Sequence, residues 1–406
     1  MGEAIITRRG GSGGLGEVVV EFDNFIPSNV ELSDGELVHL VPTVLSAARR
    51  ELAGASVGNY ALFAGGRYTS SSRTNAVDAY NASLIRSTPT ALSVARNNLA
   101  GASIGNYALF AGGRYTSSSR TNAVDAYNAS LIRSTPTTLS AARYGLAGAS
   151  VGNYALFAGG YDGSYSNTVD AYDISLTRST PTALSVARNN LAGASIGNYA
   201  LFAGGYDDSY RDRVDAYNAS LTRSTPTALS LARDRLVGAS VGNYALFAGG
   251  FGSSPTYKDT VDAYDTSLTR LTPTALSVVR YSLAGASVSN CALFVGGSGS
   301  SPTYKDTVDV YNTSLTRSTP TALSAARREL AGASVGNYAL FAGGYDDSFR
   351  DTVDAYSPPL VARLYMPIGT KYKFGESEEI ATTNEIIVRA PLTGYIKFKN
   401  GVISNG

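Results

Sequence analysis

Leu99–Ser140 reads LAGASIGNYALFAGGRYTSSSRTNAVDAYNASLIRSTPTTLS, and four short runs separate within it. Leu99–Ile104 is a strand of small residues. Gly105-Asn106 is a two-residue turn whose backbone matches the twist of a hairpin, and Tyr107–Gly113 follows as a second strand that stops at a double glycine. After a loop of Ser, Thr, Arg and Tyr, Ala123–Asn128 makes a third strand. The stretch Leu131–Ser140 makes the fourth; its Pro136 has no ladder donor, which puts this strand at an outer edge.

The unit recurs seven times. Its double glycine begins at Gly65, Gly112, Gly159, Gly204, Gly249, Gly296 and Gly343, at spacings of 47, 47, 45, 45, 47 and 47 residues. A period near 45 belongs to a propeller blade or a helical repeat, and short alternating runs rich in Val, Tyr, Phe and Thr select the blade. Small side chains in the first run suit strands that converge on a central axis. The seventh unit stops after its third strand at Tyr356, whereas Leu37–Ser46 (LVHLVPTVLS) is a fourth strand without a blade, with Pro42-Thr43 standing where Pro89-Thr90 stands later. The expectation is an all-β, seven-bladed β-propeller of four-stranded blades over 37–356, closed by an N-terminal outer strand. Residues 1–36 are then an N-terminal attachment segment and 357–406 a small C-terminal β appendage. Val18–Phe22, Glu385–Ala390 and Gly394–Lys399 are the strand-like runs in these ends. Both ends leave from one blade, so they are expected to pack together and tether the ring to other subunits.

An arginine stands ahead of each inner strand (Arg49, Arg96, Arg143, Arg188, Arg233, Arg280, Arg327), and a Val-Asp-Ala-Tyr-type strand follows each double glycine after a loop. In these features residues 37–356 resemble kelch repeats. One departure is plain: the tryptophan usual in the family's fourth strand is missing, because the chain has no Trp, so outer packing falls to Leu and Thr. The resemblance implies a propeller used for protein or ligand binding. Some kelch propellers are copper radical oxidases, whose site needs histidines and a cysteine linked to tyrosine; a chain with the single histidine His39 cannot supply it. The opening MGEAIITRRGGSGG resembles those of bacteriophage tail-associated proteins of Gram-positive hosts, which implies a place in a virion.

Composition narrows the function further. Lys plus Arg number 33 against 32 Asp plus Glu, so no overall field draws in nucleic acid or an anionic membrane. One cysteine, Cys291, and one histidine exclude an internal disulfide framework and a Cys/His zinc site, and no cofactor or metal is expected. No apolar run of membrane-spanning length occurs, and the first residues place two arginines where a signal peptide needs its apolar core. Virion or cytoplasm is therefore expected, without membrane insertion. A myristoylation signal at Gly2 fails, because Ile6 stands where the hydroxyl residue belongs. Cys291 replaces a tyrosine inside a second strand and reads as a buried substitute. The aspartates that recur once per blade (Asp78, Asp125, Asp170, Asp215, Asp262, Asp309, Asp354) read as structural partners, possible ones being the recurring arginines. Asn81-Ala82-Ser83 and its repeats match a glycosylation signal but read as turns between third and fourth strands.

The copies differ in two places. One is the loop after the double glycine: 67–74 repeats at 114–121 as RYTSSSRT, while the later loops run YDGSYSN, YDDSYRD, FGSSPTYKD, SGSSPTYKD and YDDSFRD. The other is the pair after the recurring arginine, from Arg50-Glu51 to Arg328-Glu329. In a four-stranded blade both connections lie on one side of the ring. The palette of Tyr, Arg, Asn, Asp, Ser and Gly is that of combining sites, since Tyr offers area at low entropy cost and short polar residues adapt. Tyr68, Tyr115, Tyr161, Tyr206, Tyr257, Tyr304 and Tyr345 are the candidate aromatic contacts, with Asn98, Asn190, Arg235, Tyr144 and Tyr281 at the pore mouth. The function expected is a non-catalytic binding module that presents this face to a cell-surface glycan or protein. The alternatives are a structural hub of a virion, and a glycoside hydrolase using loop carboxylates such as Asp207-Asp208 or Asp346-Asp347.

Overall fold

A computed structural model describes residues 17–22, 30–32, 37–254, 256–358, 360–365, 371–374, 377–380, 385–390, 395–398 and 401–404. The stretch carrying the tail-protein resemblance and the Gly2 and signal-peptide readings, residues 1–14, lies outside them. The described residues are all-β and contain no helix, hence none long and apolar enough to cross a membrane. Seven four-stranded antiparallel sheets form a β-propeller. Blade 2 is representative, with strands Ala100–Ile104, Tyr107–Ala111, Val124–Asn128 and Arg133–Ser134. Blade 7 takes Ala331–Val335, Tyr338–Ala342 and Val353–Ser357 from the end of the repeat array and Val38–Leu40 from its beginning.

The outer strand is shorter than the sequence suggests. Pairing covers only Ala126↔Ser134 and Tyr127↔Arg133. Pro136 falls just beyond, where the missing N–H breaks no ladder bond. The turn ahead of it is an Asx turn: the Asn128 Oδ1 accepts from the Ser130 and Ile132 backbone N–H groups. The Asn-Ala-Ser triplets are thus turns between third and fourth strands.

Strand alternation assigns each blade two apolar faces. Leu62, Ala64, Val77 and Ala79 of blade 1 pack on Ala108, Phe110 and Tyr127 of blade 2, all buried. A tyrosine joins the blades by a polar contact as well, the Tyr127 hydroxyl donating to the Thr90 carbonyl at 2.7 Å. Near the axis only glycine fits. A Cβ on Gly101 would sit 2.2 Å from the Gly54 carbonyl oxygen, and the same clash recurs from Gly54 against Gly332 round to Gly332 against Gly285. Two residues further along, inner-strand serines link neighbours: the Ser56 Oγ donates to the Ser334 carbonyl at 2.7 Å, across the join between first and last blades.

The recurring arginines and aspartates meet as buried ion pairs, with N–O distances from 2.5 Å for Arg280–Asp309 to 2.8 Å for Arg188–Asp215. Both partners of each pair are fully buried. Asp125 shows why the pair is tolerated: its carboxylate also accepts from the Ser93 backbone and hydroxyl at 2.9 and 3.0 Å and from Arg133 at 3.0 Å. A buried charge is affordable only with such saturation. Cys291 is buried in the second strand of blade 6, as its position implied.

The described residues of the two chain ends form a second compact unit. One sheet orders Ser377–Ile380, Lys371–Phe374, Glu17–Phe22, Tyr395–Phe398 and Gly401–Ser404; the other orders Val30–Leu32, Leu360–Tyr365 and Glu385–Ala390. Each sheet therefore contains strands from both ends of the chain. Glu17–Phe22 pairs in parallel with Tyr395–Phe398 and antiparallel with Lys371–Phe374.

Candidate binding face

The two variable segments of every blade are hydrogen-bonded neighbours. The first residue of the variable pair bridges the first residue of the loop, which in turn bridges a residue near the loop's end. Each blade so presents a row of three side chains: Arg50, Arg67 and Arg73 on blade 1; Asn97, Arg114 and Arg120 on blade 2; Tyr144, Tyr161 and Tyr165 on blade 3. Blade 4 presents Asn189, Tyr206 and Tyr210, blade 5 Asp234, Phe251 and Tyr257, blade 6 Tyr281, Ser298 and Tyr304, and blade 7 Arg328, Tyr345 and Phe349.

Inside these rows runs a closed ring of main chain. Glu51, Asn98, Gly145, Asn190, Arg235, Ser282 and Glu329 all adopt positive φ, between 49° and 65°. Each donates its N–H to the carbonyl of its counterpart on the preceding blade at 2.8 to 3.2 Å, and Glu51 closes the circle by donating to Glu329. Seven left-handed residues are costly for non-glycine side chains, and the hydrogen-bonded circle over-determines them. The rim of the pore is thereby fixed, while the side chains on it vary.

The structure places the candidate residues in distinct positions. Asn98, Asn190 and Arg235 sit on this circle. Tyr144, Tyr161, Tyr206, Tyr257, Tyr281, Tyr304 and Tyr345 belong to the rows and are half-buried, or buried no further than that. Tyr68 and Tyr115 stand apart, one residue past the first loop position, exposed at 47% and 46%. The sequence reading missed Tyr165, Tyr210, Phe251 and Phe349, which share a row with residues it named. Two-residue length differences between loops hid the common column; the bridge Tyr161↔Tyr165 occupies the place of Phe251↔Tyr257.

The aromatic residues form a continuous arc. Ring centroids lie 5.4 to 5.9 Å apart along Tyr144, Tyr161, Tyr165, Tyr206, Tyr210 and Phe251, and on to Tyr257 and Tyr281. Tyr257 and Tyr281 stack nearly parallel, 5.6 Å apart at 9°. A second run joins Tyr304, Tyr345 and Phe349. An arginine lies over each run: the Arg114 guanidinium is 3.5 Å above the Tyr144 ring of the arc and that of Arg50 4.1 Å above Tyr345 of the second run.

A cavity of about 620 Å³ opens among the circle and the arc, lined by Arg114, Tyr144, Tyr165, Tyr206, Tyr210, Asp234, Phe251 and rim residues including Glu51 and Glu329. Burial pushes the Asp234 carboxyl up to about 6, against the pull of Arg235, whose Nε lies 3.6 Å away. Burial and then the charge of Glu51 also raise Glu329, although Arg50 pairs with it at 3.0 Å. The loop carboxylates have other partners. Arg211 holds Asp207 at 2.5 Å, and Tyr165 donates to Asp208 from the neighbouring blade at 3.1 Å. Arg350 and Ser348 bind Asp346 and outweigh its burial, so that its carboxyl lies below the usual range. Among the described residues no three His, Cys, Asp or Glu side chains gather as a metal site. Comparison with known proteins returns neither a matching family model nor a matching curated protein.

Proposed function

We propose that the protein is a non-catalytic binding module whose variable face takes a cell-surface glycan. The observation that carries this reading is the aromatic arc beside a polar rim. Half-buried tyrosines offer flat apolar area for sugar rings, and Asn98, Asn190, Arg235 and Ser282 offer donors and acceptors for hydroxyls. The scaffold suits the task, because the circle and the rows are held by main-chain bonds that do not depend on the side chains they display. The seven double glycines and Arg–Asp pairs favour membership of the kelch group, and the opening sequence favours a phage tail as the assembly. The loop carboxylates weigh against glycoside hydrolysis: a general acid must hold its proton near neutral pH, whereas the Asp346 carboxyl lies below the usual range, and Asp207 is engaged by Arg211.

The test is binding of the purified chain to an array of bacterial surface glycans and to whole cells, with Tyr144→Ala and Tyr281→Ala as the control. Retention should fall by about tenfold or more in the double variant, with a stability loss of about 1 kcal/mol per ring. Retention on cells that a protease treatment of those cells abolishes would assign the face to a protein ligand instead. Silence toward every cell and glycan, with co-assembly into a larger particle, would make it a structural hub.

A further inference from the structure

The face is divided by charge. Both loops reading RYTSSSRT lack an acidic residue, and blades 1 and 2 bring Arg67, Arg73, Arg114 and Arg120 to the rows. Only Arg67 is neutralised, by Glu51 at 2.8 Å; among the described residues no carboxylate pairs with Arg73, Arg114 or Arg120. Elsewhere on the face the loop arginines are tied down, Arg211 by Asp207 and Arg350 by Asp346. Arg73, which donates to the Asn97 Oδ1 at 3.1 Å and to the Ser71 carbonyl, also lies within the fields of neighbouring guanidiniums. Burial, then Arg67 and, more weakly, Arg114 lower the Arg73 pKa, with Glu51 opposing. An anion brought between them would relieve that repulsion and find paired donors in planar geometry.

This sector adjoins one end of the aromatic arc. Arg114 covers Tyr144, and the Arg120 guanidinium lies 5.6 Å from the Tyr161 centroid. A sugar chain lying along the arc therefore brings its substituents within reach of both. We infer that the ligand is an acidic glycan, whose rings stack on the arc while a carboxylate or phosphate on the same chain binds Arg73, Arg114 and Arg120. The inference rests on the glycan reading above and adds the charge of the ligand.

The experiment immobilises a panel of purified bacterial polysaccharides, comprising neutral, uronic-acid-bearing and phosphodiester-linked polymers, with polyglutamate as an acidic chain without sugar rings. Wild-type protein should bind acidic polymers about tenfold or more tightly than neutral ones at low salt, and the preference should shrink in 0.5 M NaCl. The combined Arg73→Gln, Arg114→Gln and Arg120→Gln variant should lose the preference with its melting temperature near wild type. Arg120→Gln alone, whose guanidinium makes no hydrogen bond among the described residues, serves if the triple variant does not fold. The uronic-acid and phosphodiester arms separate the two acidic groups. Equal binding of neutral and acidic polymers, unchanged by the arginine substitutions, overturns the inference and leaves the glycan reading standing. Binding of polyglutamate as tight as that of any polysaccharide overturns it in favour of a plain polyanion site. Absence of binding to every polysaccharide overturns both.

Discussion

Asp125 gathers four donors on one buried carboxylate, and the buried Arg–Asp pair at its centre recurs in all six other blades. Its role is to fix the segment that leads into the inner strand, through Ser93 and Arg96, to the third strand of the same blade. Asp125→Asn removes the charge and strands the Arg96 guanidinium in a dry site, so it should cost about 3–5 kcal/mol in chemical denaturation. Asp234 is the opposite case. Its folded-state pKa is raised to about 6 from an ordinary 3.8, so the folded protein holds that proton more tightly than the unfolded chain. The ionised form thus destabilises the fold above pH 6, and acidification from pH 6 toward pH 4 relieves the penalty. Asp234→Asn should therefore stabilise by about 1–3 kcal/mol at pH 7.5, with the gain gone by pH 4. Denaturation of both proteins at the two pH values checks this. Such a penalty at a displayed position accords with the binding role proposed for this face.

Inner strands set the radius of the ring. Gly101 faces the Gly54 carbonyl so closely that no side chain fits, and the obstruction is backbone, which cannot rotate aside. Gly101→Ala must push two blades apart and should cost about 3 kcal/mol or more, measured as a lowered denaturation midpoint. The reason for glycine at this position is invisible in a single blade, where Gly101 alternates normally with its buried neighbours. The sequence showed a run of small residues and so a crowded axis; which of them must be glycine depends on the neighbouring blade. The hairpin turns and the Asx turns, by contrast, were legible because their geometry is local. The outer strand was overestimated for the complementary reason: its residues look extended, but only two find partners before the prolines.

The ring is held shut by Val38–Leu40 alone in the outer place of blade 7, together with the glycine, serine and main-chain circles at the axis. Deleting residues 1–46 should lower the melting temperature of the propeller as one transition, because the blades share their cores. It should also expose the edge of Val353–Ser357, and light scattering should then report association between chains. Full-length protein remaining no more stable than the deletion would show that the axis circles suffice.

The variable face divides the two kinds of information most clearly. Sequence determined that seven copies of one blade close a ring, since the period, the double glycines and the displaced fourth strand are local signals repeated seven times. Comparing the copies also found the variable positions, because a repeat supplies its own internal reference. Only the tertiary structure aligned Tyr165 with Tyr257 despite loops of different length, joined tyrosines from successive blades into one arc, and set the unpaired arginines of blades 1 and 2 at its end. Those relations run between blades, at separations of some 45 residues in the chain, and no local propensity encodes them.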